Sequence, residues 1–185
     1  MSIASEVGRP TSEEFAPFYA GYVAAVPERD PITLLGEQVA ETQHFCEQLG
    51  EAAAGAPYAP GKWTVKDVLC HLADTERVMA YRALCIARGD TTPLPGFDQD
   101  DYVRAAGAAN RPLARLLAEL VATRVATVAL FQSLDAAAFE RRGTANTHTV
   151  SVRALLHIIL GHERHHLRIL REHLGATVGA EGGTH

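Results

Sequence analysis

Apolar residues recur every three to four positions through most of this chain, and that spacing limits its fold more than any other feature. Strict apolar–polar alternation, the mark of a half-buried strand, is scarce, so the pattern predicts an all-α protein. Capping chemistry marks the helix ends. Ser12 opens a short amphipathic segment, and Asp30 followed by Pro31 supplies an N-cap and a first-turn proline for a longer helix ending near Gly50. Thr64, with Asp67 three places on, forms a capping-box variant that starts a second main helix, predicted to stop before Gly89.

The stretch "GDTTPLPGFDQDDYVRAAGAANR" is too long for a tight helical hairpin and reads as a crossover with a short helix around Asp98–Ala106. Pro112 then opens a third main helix reaching about Leu134, and "DAAAFE" reads as a further short helix. Thr149 or Ser151 caps a fourth main helix that ends at Gly175. The expectation is a four-helix bundle over residues 30–175, with the crossover between its second and third main helices. An N-terminal segment with a short helix covers 1–29, and residues 176–185 form a flexible tail.

Composition narrows the function. With 185 residues, 47% of them hydrophobic, a net charge of −5 and no long basic run, nucleic acid is excluded as a partner on electrostatic grounds. Three cysteines without C-x-x-C spacing argue against a disulfide framework or a thiolate zinc ribbon. With no secretory pattern and no 18-residue apolar span, the expected setting is a reducing cytoplasm away from membranes.

The stretch "HERHH", His162 to His166, fits H-E-x-x-H, the zinc-peptidase pattern. At about 100° per residue, Leu155, Ile158, Ile159, His162, His166, Ile169 and Leu170 share one side of the fourth helix. Arg153, His157, Arg164, Arg168 and Arg171 face the other way, and His165 sits at the margin. A zincin needs a third ligand from beyond this helix. The helix instead runs on, and His173 lies about 10 Å further along the axis, so the peptidase reading fails on geometry while a metal reading survives.

A lone core histidine is usually a hydrogen-bonded structural residue, and His44, His148 and His173 read that way. Two buried imidazoles one turn apart leave ring nitrogens that a shared ion satisfies. On the second helix His71 interrupts an apolar stripe with Val68, Val78 and Cys85. If that helix faces the fourth, His71, His162 and His166 form an open three-nitrogen site, suited to zinc or nickel. Glu163, at the edge of the metal face, is expected at the surface or hydrogen-bonded to an imidazole. Trp63 reads as a core anchor at the bundle's end. Neither Cys70 nor Cys85 points at the site.

"PGKWTVKDVLCHLADTERVMAYRALCIARGD", then "LPGFDQDDYV" and "HIILGHERHHLRIL", resembles the DinB/YfiT-like superfamily of metal-binding four-helix bundles. The resemblance spans roughly Asp30 to Leu174. It implies up-down-down-up connectivity, a homodimer, and a divalent metal held by one histidine of the second helix and an H-x-x-x-H pair of the fourth, here His71, His162 and His166. It also implies transfer of a low-molecular-weight thiol, such as bacillithiol, mycothiol or glutathione, onto an electrophile in detoxification or stress response. Arg82 then becomes a candidate for holding a carboxylate of the thiol cofactor, although an ion pair with Glu76 or Asp74 is the favoured expectation. Two rivals stand beside the thiol S-transferase: a metal-dependent hydrolase, and a non-enzymatic helical binding or dimerisation module.

Overall fold

The computed structural model describes residues 7–180, the last five by backbone alone. Five long or medium helices and two short ones make up most of it: α1 Ala20–Ala24, α2 Pro31–Ala54, α3 Val65–Ala87, α4 Gln99–Ala106, α5 Leu113–Gln132, α6 Ala136–Glu140 and α7 Val152–Ala180. The bundle consists of α2, α3, α5 and α7. Both α2 and α3 pack against α5 and α7, which sets α2 diagonally across from α3. The chain runs up α2, down α3, down α5 after a crossover carrying α4, and up α7. Consequently α3 and α7, the helices bearing the candidate ligands, are direct neighbours.

The caps act as their chemistry requires. Thr64 accepts from Asp67 N while the Asp67 carboxylate takes Thr64 N, and Asp30 accepts from Thr33 N ahead of Pro31. Of the two proposed caps of α7, Ser151 fills the role, its Oγ accepting from Ala154 N at 3.0 Å. Gly89, at φ +82, closes α3 in the left-handed conformation that glycine adopts without strain.

Several details differ from expectation. The main run of α2 ends at Gly50, at φ +77, as expected, but a further helical turn follows the kink and carries the element on to Ala54. The N-terminal segment is mostly 3₁₀ turns, Ser12–Glu14 and Pro17–Tyr19, leading into the single short α1. Helix α7 runs beyond Gly175 to Ala180, and residues 181–185, the rest of the expected tail, lie outside those described. A two-stranded antiparallel hairpin, β1 Arg142–Ala145 with β2 His148–Ser151, precedes α7 where a plain connection was expected. Asn146 and Thr147 at its tip both have positive φ, 48° and 66°, which gives the tight reversal its hand. Among the described residues no helix is long and apolar enough to cross a membrane.

The N-terminal segment packs on the side of α7 read as solvent-facing. His157 is therefore buried, its Nδ1 paired with the Arg153 carbonyl at 2.9 Å, and Arg153 in turn grips the buried Glu14 at 2.7 Å. Close approach is possible because position 161 is glycine: a Cβ there would collide with the backbone carbonyl of Tyr22. Gly161→Ala is expected to push α1 outward and destabilise the protein by roughly 1–3 kcal/mol, as overpacking of a tight contact does. Chemical denaturation checks this, and an unchanged midpoint would contradict so close a contact.

Candidate metal centre

Helix α3 presents His71 and helix α7 presents His162 and His166, and the three imidazoles meet between them. His162 Nε2 lies 2.9 Å from His71 Nε2 and 3.1 Å from His166 Nε2. All three residues offer one ring nitrogen within 4.8 Å of the others. His71 and His162 are buried and His166 nearly so, because Trp63, just ahead of α3, lays its ring against His71 and almost parallel to His166, with centroids 4.9 and 6.4 Å apart. Trp63 is thus a wall of the cluster as well as an anchor.

The donor chemistry fits a cation. A neutral imidazole nitrogen carries either one proton or one lone pair, so His162 Nε2 cannot form a good hydrogen bond with both neighbours at once. One ion accepts all three lone pairs. For bonds of about 2.0 Å, tetrahedral ligands stand about 3.3 Å apart, close to the spacing found. The Thr75 hydroxyl, 3.4 Å from His71 Nδ1, sits on the far ring nitrogen, where an orienting partner belongs.

Burial holds these rings neutral. It depresses His71 to about 4 and His166 to about 3, the latter also through its neighbours His71 and His165, and it drives His162 well below the usual value. In metal-free protein these histidines therefore bind more protons in the unfolded chain than in the folded one between about pH 6.5 and their depressed folded values of about 4 and 3. Stability is expected to fall as pH drops from 6.5 toward 4. Urea unfolding of chelator-treated protein across that window checks this; a profile unchanged by His71→Ala would contradict it.

Glu163 is not where the zincin analogy needs it. It is 1% exposed and turned away from the imidazoles, because α7 packs on α2 on that side and Arg124 reaches across from α5. Its carboxylate accepts from Gln38 Nε2 at 2.6 Å, Thr42 Oγ1 at 2.7 Å and Arg124 at 2.8 Å. It is neither a surface group nor a partner of a histidine. Arg124, which sequence reasoning missed, also holds Glu76 in a two-pronged pair at 2.9 and 2.8 Å and donates to the Leu35 carbonyl at 2.9 Å. An arginine inside the apolar run "VATRVATVALF" was the available signal.

The expected partners of Arg82 are accordingly taken: Glu76 by Arg124, and Asp74 by Arg77. Arg82 donates instead to the Pro95 carbonyl at 2.6 Å and leans on the Met79 sulfur. It lines a cavity of about 310 Å³ that opens from His71 and His162, with Tyr19, Tyr22, Phe97 and Asn146 on other sides. None of the described residues lining this cavity is a carboxylate. Burial raises the pKa of both Tyr19 and Tyr22, so their phenols stay protonated donors.

The remaining candidates lie apart. His165, beside Tyr22, does not join the cluster, and His44, His148 and His173 are exposed rather than core residues. Cys46 is buried and pushed up to about 12, and Cys70 is raised by burial, so neither offers a thiolate.

Comparison with known proteins agrees with this arrangement. A "Putative metal-dependent hydrolase" of Geobacillus thermodenitrificans (strain NG80-2) is 28% identical over 112 residues, 57% of this chain and 63% of that relative; the chain thus spans less than two thirds of the relative's length. The solved structure of YfiT from Bacillus subtilis, described as a probable metal-dependent hydrolase with an unusual four-helix bundle topology, superposes with a TM-score of 0.69. It covers 88% of this chain and 94% of its own at 21% identity, a likeness of fold. A sequence model of the DinB superfamily matches residues 34–170, across all four bundle helices and all three clustered histidines, and the chain belongs to that superfamily.

Proposed function

We propose that His71, His162 and His166 hold one divalent ion, zinc or nickel, and that the protein transfers a low-molecular-weight thiol to an electrophile bound in the adjoining cavity. The observation that carries this reading is a cluster of three neutral imidazoles opening onto a cavity with no carboxylate among its described lining residues. The ion supplies Lewis acidity that lowers the pKa of a thiol brought against it, so no protein base is required. The protein's own groups bind and orient. Tyr22, whose ring lies 5.4 Å from that of His162, donates a hydrogen bond to an oxygen of the electrophile, while Phe97 and Ile158 keep its reacting carbon out of water.

Metal-dependent hydrolysis of an ester or amide is the second reading. The descriptions of both relatives favour it, and the Tyr22 phenol would serve as an oxyanion donor. One assay separates the two. Metal-loaded protein is given monochlorobimane with glutathione, bacillithiol or mycothiol, and p-nitrophenyl acetate without thiol. Thiol-dependent conjugation that chelation abolishes and added ion restores is the expected result. Ion-dependent p-nitrophenol release without thiol would reassign the protein as a hydrolase, and no ion-dependent rate in either arm would contradict both.

A further inference from the structure

His71, Thr75, Met79 and Arg82 form one stripe along α3, so the floor of the cavity leads from the histidine cluster at one end to a guanidinium at the other. Arg82 is 3% exposed, yet among the described residues no carboxylate lies within ion-pair reach of it. Two other buried or half-buried arginines are paired with acids, Arg124 with Glu76 and Glu163, and Arg153 with Glu14. A buried charge without a counter-ion is costly, and a carbonyl and a thioether replace only part of its hydration.

Two neutral donors stand with it. The guanidinium lies beside the Tyr19 phenol. Asn146 is carried to the cavity by the hairpin tip, where its backbone N–H donates to the Leu94 carbonyl at 3.0 Å and its side chain fills the space a Cβ on Gly96 would need. Its left-handed backbone is a conformation asparagine tolerates better than most residues, and such conformations concentrate at functional sites.

We infer that Arg82, Tyr19 and Asn146 form a subsite for the carboxylate of a ligand whose reacting end lies at the histidine cluster. One fixed cation with two neutral donors matches a monoanion held by a planar fork; a phosphate dianion would be left a charge short. Arg82 follows His71 by three helical turns, roughly 16 Å along the axis, shortened because helical side chains lean toward the N-terminus. The ligand is therefore elongated, with an apolar body between its acid and its reacting atom. Which end reacts rests on the function proposed above, whereas the acid preference does not.

The test uses the full chain, zinc-loaded and zinc-free, in isothermal titrations with hexanoate and its methyl ester, and with 6-mercaptohexanoate and its methyl ester. A parallel assay follows conjugation of 2-mercaptoethanol with 6-bromohexanoate or its methyl ester. Each acid is expected to outperform its ester by about tenfold, the worth of one charge-assisted pair. Arg82→Gln should erase the preference, Arg82→Lys should retain part of it, and zinc content should be unchanged in both. Asn146→Asp, which adds an opposing charge without touching Arg82, should erase it too and decides the matter if Arg82→Gln does not fold. Preference in either assay supports the subsite and tells whether thiol or electrophile carries the acid. Equal performance of acid and ester in the wild type, or a preference surviving Arg82→Gln, overturns it. Because hexanoate needs no metal, a protein that takes up no zinc but prefers hexanoate to its ester would sink the proposed reaction and leave the subsite standing.

Discussion

Arg124→Met is expected to lower the free energy of unfolding by about 3–5 kcal/mol, the range found when one partner of a buried ion pair is removed. The arginine is 1% exposed and is the cation shared by two carboxylates, Glu76 and Glu163, that are as buried as itself. Methionine fills much of the volume but leaves both acids without a counter-charge, and they must then protonate or draw in water. The network also reaches Gln38 and Thr42 on α2 through Glu163, and the Leu35 carbonyl directly, so it joins all four bundle helices behind the histidines. Removing the charges together, as Arg124→Met with Glu76→Gln and Glu163→Gln, should recover much of the loss, which is the non-additivity expected of a coupled cluster. Urea unfolding at neutral pH measures both variants. A loss under about 1 kcal/mol for Arg124→Met alone would mean that the cluster is solvated.

His162→Ala is expected to abolish stoichiometric binding of the ion, because His162 stands between the other two ligands and touches both. His165→Ala is the matched control. Its ring centroid lies 5.4 Å from that of His166 on the same helix, yet it contributes no nitrogen to the cluster, so its ion content should equal that of the wild type. Elemental analysis with circular dichroism distinguishes loss of a ligand from loss of fold. Equal ion loss in both variants would point to a diffuse surface site.

The helices and the histidine cluster were legible because both are periodic. His162 and His166 stand one turn apart on an apolar stripe, and His71 interrupts another, so facing the two helices brings the three rings together. Thr64 with Asp67, and Asp30 with Pro31, announce helix starts through local hydrogen bonding that tertiary context does not alter. What escaped depends on which neighbour a marginal residue meets. Glu163 sits about 100° from His162, and helical angle alone does not tell whether that edge faces water or α2. The same ambiguity hid His157 beneath the N-terminal segment and left Arg82 assigned to acids that other arginines hold. The hairpin escaped for another reason: its strands have four residues each and turn through Asn146 and Thr147, too little alternation and no glycine at the turn to signal it.

The central claim is that three imidazoles from α3 and α7 hold one divalent ion, and elemental analysis of the untagged wild-type protein after equilibration with zinc or nickel tests it most directly. The account predicts one tightly held ion per chain, absent from His71→Ala, His162→Ala and His166→Ala while helical content persists. A wild type that retains no ion after equilibration would contradict it.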